Sequence, residues 1–205
     1  MHVLTWGSPT DAAIAVARDP SIAKNMMVYA IAGNGGANED DKAMDILTGA
    51  KDLLLVDSSS TFRGSYAWKS SKYGNPGTFP DKFIDGRDSA LADQFILSTE
   101  RRVGGDILKM GDSPSFLPLI DPWSANDLDP SKPSWGGQYK LVSGTTNKYE
   151  DREDMAATTY GRPRTFDGAG TVSQWADEFL GDWVERLGWA ENSSPAATAN
   201  NSSLF

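Results

Sequence analysis

Gly111-Asp112-Ser113-Pro114-Ser115 is the segment whose residue types point most directly to chemistry. A carboxylate placed after glycine and before a Ser-Pro helix start can leave a strand end aimed at a cation or a substrate hydroxyl. The same residue can instead cap a helix opening at Ser113 or Pro114, and spacing alone favours the cap. Trp6-Gly7-Ser8-Pro9-Thr10-Asp11 closes an apolar run, and ligands of open α/β sheets sit at the carboxyl ends of strands. Its plainer role is a strand-to-helix connection. Gly33-Asn34-Gly35-Gly36-Ala37-Asn38 also ends an apolar run, but it lacks the G-x-G-x-x-G spacing, and no Gly-Lys-Ser/Thr makes a phosphate loop. Its glycines relieve a turn, and Asn38 is placed to cap the next helix. Of seven tryptophans, Trp123 and Trp135 stand in Pro/Gly-rich stretches that suit a stacking surface. Trp175 and Trp183 share one helical face and suit a core. Glu150-Asp151-Arg152-Glu153-Asp154 is expected to be a solvated face, without the alternating oxygen ligands of a calcium loop.

Composition narrows the chemistry further. The chain has 205 residues, no cysteine and one histidine, His2, so thiol nucleophiles, zinc–thiolate sites and disulfides drop out. Histidine-based zinc sites and Ser-His-Asp triads are nearly removed as well. Carboxylates, hydroxyls, amides and a hard oxygen-bound cation remain. A net charge of −9 disfavours nucleic acid, whose phosphates need clustered Lys and Arg. No apolar run approaches the roughly 20 residues of a membrane-spanning helix. Met1 to Gly7 shows no signal-peptide pattern, and the absence of cysteine suits a reducing compartment without requiring one.

The elements that must position these residues alternate. Val3 to Trp6 suggests a strand, and a helix capped by Thr10 or Asp11 runs through Ala17 to a stop at Asp19-Pro20. Met26 to Ala32 forms a second strand, Asp40 to Ala50 a second helix, and Leu53 to Val56 a third strand, apolar throughout as in a sheet covered on both faces. This pattern predicts an α/β, Rossmann-like, mostly parallel sheet with helices on both faces. Asp88 to Thr99 and Ser113 to Ile120 are helix candidates, Ser124 to Tyr139 a loop, and Thr171 to Trp189 the clearest helix, with Val172, Trp175, Phe179, Trp183 and Leu187 on one stripe. Residues 1–190 form the expected domain, and the Asn/Ser-rich stretch 191–205 an expected disordered tail.

Four segments occur in a recognisable order: Ser60-Thr61-Phe62-Arg63-Gly64, Gly111 to Leu117, Trp135-Gly136-Gly137-Gln138-Tyr139, and Gln174-Trp175 through Asp182-Trp183 to Arg186 and Trp189. Together with Pro9-Thr10-Asp11-Ala12-Ala13-Ile14-Ala15 and Asp19-Pro20, they resemble the nucleoside-hydrolase-like domain of the Sde-type cellulose-binding proteins, within the inosine–uridine nucleoside hydrolase superfamily. The resemblance spans about Val3 to Trp189.

That resemblance implies a calcium-dependent hydrolase of N-glycosyl or glycosyl bonds, acting on a ribosyl or glycosyl small molecule or an oligosaccharide. By position it makes Trp6 the carbonyl donor and Asp112 the carboxylate ligand of the metal, and it makes Asn38 substrate-facing. Asn34, Asp182 and Trp135 complete the expected substrate-binding set. The family's N-terminal D-x-D-x-x-x-D-D cluster, its main source of calcium ligands and its water-activating base, has no counterpart in this sequence. The expectation is therefore an N-terminally truncated domain, with the catalytic residues unassigned, weak calcium binding, and an exposed sheet edge that favours self-association. The relatives imply export. The open alternatives are a non-catalytic carbohydrate-binding module and an inactive homologue.

Overall fold

The computed structural model describes residues 1–31, 40–100, 108–123, 129–161 and 164–191. Strands β1 (His2–Thr5), β2 (Met27–Ala30) and β3 (Leu54–Asp57) pair in parallel, and β3 continues in parallel to β5 (Lys148–Asp151). The short β4 (Tyr139–Leu141) closes the sheet antiparallel to β5, giving the order β1-β2-β3-β5-β4. The mostly parallel α/β sheet expected from the sequence is therefore present.

Helices α1 (Thr10–Arg18) and α2 (Asp41–Gly49) are the crossovers between the first three strands. Their small and apolar residues, Ala12, Ala13, Val16, Ala43 and Leu47, bury against Val28, Ala30 and Leu55 on one sheet face. Neither expected cap forms on α1. Pro9 occupies its N-cap position, while the Thr10 hydroxyl is committed to Ser8 and to the carboxylate of Asp40. Asp40 caps α2 by accepting from the Ala43 amide at 3.0 Å, and Asn38 lies outside the described residues.

The opposite face carries Tyr29, Ile31, Val56 and Tyr139. It is covered by shorter pieces: Phe62 of a 3-10 helix over Thr61–Tyr66 packs on it, and Pro118 and Leu119 of α5 (Leu117–Ile120) face Leu4, Met27 and Tyr29 across a small cavity. Helices thus lie on both faces, but unequally.

The remaining helices, α3 (Phe79–Phe83), α4 (Ala90–Glu100), α6 (Gly170–Ser173) and α7 (Ala176–Ala190), build a second, aromatic core. The single helix expected over Thr171 to Trp189 is broken at Gln174-Trp175. The Trp175 amide bonds to Val172 three residues back rather than four. α6 is also held by close backbone approach, since a Cβ on Gly64 would lie 2.1 Å from the Ala169 carbonyl oxygen. The apolar stripe itself is as expected, with Val172, Phe179 and Leu187 buried and Trp175 and Trp183 packed against them. The helix expected over Ser113 to Ile120 splits into a 3-10 turn, Ser113–Ser115, and α5, because Pro118 has no N–H to give the carbonyl four residues back. A small antiparallel hairpin, β6 (Ala157–Thr158) and β7 (Thr165–Phe166), packs outside the main sheet. Glu191, the first residue of the expected tail, is ion-paired to Arg87 at 2.7 Å, and 192–205 lie outside the described residues. Among the described residues no helix is long and apolar enough to cross a membrane.

Candidate functional site

The carboxyl end of β1 meets the Gly111–Phe116 turn directly. The indole N–H of Trp6 donates to the Ser115 hydroxyl oxygen at 2.8 Å, and that hydroxyl donates to the Asp112 carbonyl at 2.7 Å. Ser115 is buried, whereas the Trp6 ring is 54% exposed and Asp112 is exposed. Behind the turn, Gly111 lies against the rings of Phe62 and Tyr66, and an added Cβ would come within 3.2 Å of Phe62. Two residues 106 positions apart in sequence, expected to share a site, are thus brought together by one buried hydroxyl. Asp112 also settles its competing role: it occupies the N-cap position of the 3-10 turn, but its side chain makes no capping hydrogen bond. Its carbonyl does the anchoring instead.

A second group of carboxylates stands at the carboxyl ends of β3 and β5. Asp57 ends β3, in register with Ala30 and Glu150. Ala30 is itself in register with Thr5, so Asp57 is level with the end of β1, two strands and about 10 Å away. Burial, followed by repulsion from Asp151 and Glu150, pushes the Asp57 carboxyl up to about 6. A hydrogen bond from the Ser59 side chain opposes this, and Oδ1 of Asp57 is buried without a hydrogen-bond partner. Asp151 is anchored differently: its carboxylate accepts the backbone N–H groups of Ser59 (2.8 Å), Ser60 (2.7 Å) and Thr61 (3.0 Å). It seats the start of the 3-10 helix that carries Phe62 and Arg63. Glu150-Asp151 is therefore not simply the solvated face its composition suggested; Glu150 is exposed, but Asp151 is built into the strand end.

Beside Asp57, on the other face, Ser58 is fully buried between two phenols. Tyr29 and Tyr139 share a hydrogen bond through their hydroxyls, with ring centroids 5.8 Å apart at 87°. The Tyr139 hydroxyl reaches Ser58 Oγ and the Gly136 carbonyl, each at 3.3 Å. Burial raises the pKa of both phenols, so this row of hydroxyls is neutral and structural.

The other expected binding residues separate. Asn34 and Asn38 lie outside the described residues. Trp135 is buried, at 5% exposure, in the aromatic core. Its amide donates to Asp121 at 2.9 Å, and the same carboxylate takes the Trp123 amide at 2.9 Å. That buried carboxylate turns the Pro/Gly-rich segment inward, so Trp135 offers no exposed stacking face, while Trp123 is 80% exposed. Asp182 is on α7, gripped by Arg186 through both carboxylate oxygens at 2.6 and 3.0 Å. It lines a cavity with Met110, Ser113, Phe116 and Ile120, and Trp6 is not among the lining residues.

The donor set at Trp6 and Asp112 fits calcium poorly. Calcium takes about six to eight oxygen ligands, several of them charged, and among the described residues no three carboxylate or imidazole side chains converge. No catalytic step is therefore assigned to a cation. No protein-family model, curated protein or solved structure matches this chain.

Asp57 is the residue that sequence patterning missed. Its signal is present nonetheless: the apolar run Leu53-Leu54-Leu55-Val56 ends in a carboxylate with three serines after it, which puts an acid at the strand end where α/β sheets hold ligands.

Proposed function

We propose that the protein binds a ribosyl or glycosyl group at the carboxyl end of its sheet and hydrolyses the bond to its leaving group. The observation that carries this is Asp57, a carboxyl that keeps its proton to about pH 6 beside acidic neighbours at a strand end. A protonated acid can supply the leaving nitrogen or oxygen, and ionised carboxylates nearby favour an oxocarbenium-like transition state. The exposed Trp6 ring supplies an apolar face for a sugar, and Asp112 an acceptor for its hydroxyls, both positioned through Ser115. The resemblance to nucleoside hydrolases agrees with the bond type.

Turnover of inosine and p-nitrophenyl riboside by the purified chain tests the reaction. The rate is expected to fall as pH rises through about 6, where Asp57 loses its proton. Asp112→Ala is expected to reduce kcat/KM by at least about 100-fold; an unchanged value removes Asp112 from the site. Turnover of neither substrate above the uncatalysed rate overturns hydrolysis, leaving sugar binding to be measured by calorimetry. Calcium titration in the same instrument tests the cation, and binding weaker than about 1 mM counts against it.

A further inference from the structure

We propose that the cavity between α4, α7 and the Met110–Ile120 segment is a binding site for a neutral bicyclic aromatic molecule. It is open to solvent on one side and holds about 330 Å³, roughly twice the volume of the closed ~150 Å³ apolar cavity that takes up benzene. That volume accommodates two fused rings. Phe95, Phe116, Phe179 and Trp183 form aromatic walls, and Leu117, Ile120 and Met110 add apolar lining. Phe95 and Trp183 meet edge-to-face, at 5.0 Å between centroids and 72° between planes, and a third ring can extend such an arrangement by offset or edge contacts. Met110 adds a polarizable thioether that adapts to an inserted ring.

The mouth argues for a neutral ligand. Asp182 and Arg186 line the cavity, but their bidentate pair satisfies each with the other, so neither sign of charge is favoured inside. Among the described residues, one hydroxyl, that of Ser113, is the further polar group at the wall. A ligand with a single hydroxyl or N–H therefore suits the site better than a polyol. This places a sugar outside the cavity and makes the inference independent of the glycosyl chemistry proposed above, since a sugar-free probe reports on it alone.

The probe is 2-naphthol, titrated into the full chain by calorimetry and tracked by ligand-observed NMR saturation transfer. One saturable site is expected, with a Kd of about 100 µM or tighter. Ser113→Phe and Ile120→Phe each put a ring into the cavity and are expected to weaken binding at least tenfold. Far-UV circular dichroism checks that each variant folds, and either folded variant suffices for the comparison. Absence of saturable binding to the unmodified chain up to about 1 mM overturns the proposal, as does unchanged affinity in a folded cavity-filling variant.

Discussion

Lys148→Met is expected to lower the unfolding free energy by about 3 kcal/mol, measured by urea denaturation at neutral pH. The reason is the way the Lys148 ammonium is held. It is buried on β5, at 4% exposure, and its Nζ donates to three backbone carbonyls: Leu47 at 3.1 Å, Ala50 at 2.7 Å and Leu53 at 2.8 Å. Leu47 and Ala50 are at the end of α2 and just past it, and Leu53 immediately precedes β3. The side chain therefore acts as a helix C-cap from a distant strand and ties the α2–β3 connection to β5. Burial brings its pKa down to about 8, so holding the charge costs stability that the three carbonyls offset. Methionine keeps the volume and the apolar stem but leaves the Leu53 carbonyl without this donor and weakens satisfaction of the other two. A loss below about 1 kcal/mol would show that water takes over the ammonium's role.

Asp57→Asn is expected to act in the opposite direction, raising stability at pH 8 by about 2–3 kcal/mol while abolishing the riboside turnover proposed above. The carboxyl titrates near 6 in the native state against 3.8 in the unfolded chain. Between these values the native state holds the proton more tightly, so stability declines as pH rises from about 4 to about 6 and stays reduced above. Asparagine carries no such charge. Its advantage should be complete at pH 8, shrink as pH falls through 6, and vanish below 4. Chemical denaturation at pH 4, 6 and 8 reads the difference directly. An equal effect at all three values would mean that burial of charge is not the cause. Stability gained together with activity lost is the signature of a group retained for function at a structural cost.

How far the sequence was legible depended on which physical signal each element carried. The first three strands and two crossovers were plain because their residues are almost wholly apolar, as β2 and its buried Val28, Tyr29 and Ala30 show. Strand β5, Lys-Tyr-Glu-Asp, was hidden: its one buried residue is a lysine, and hydrophobic patterning does not recognise a charge satisfied by carbonyls. Trp135 misled for a related reason. Its Pro/Gly neighbours signalled a surface loop, yet the buried carboxylate of Asp121 supplies the amide acceptor that lets that loop turn inward. The pairing of Trp6 with Asp112 came from family resemblance alone; the hydroxyl of Ser115 that joins them is a tertiary contact no local spacing encodes.

The phenol pair on the sheet's short-element face gives the protein an optical property. Two of its six tyrosines, Tyr29 and Tyr139, are withheld from hydroxide by burial, and Tyr139 further by its hydrogen-bonded neighbour Tyr29. Their rings belong to β2 and β4, on either side of β3 and β5. Base reaches them once the short elements over this sheet face lift away, so tyrosinate absorbance from this pair marks the uncovering of that face.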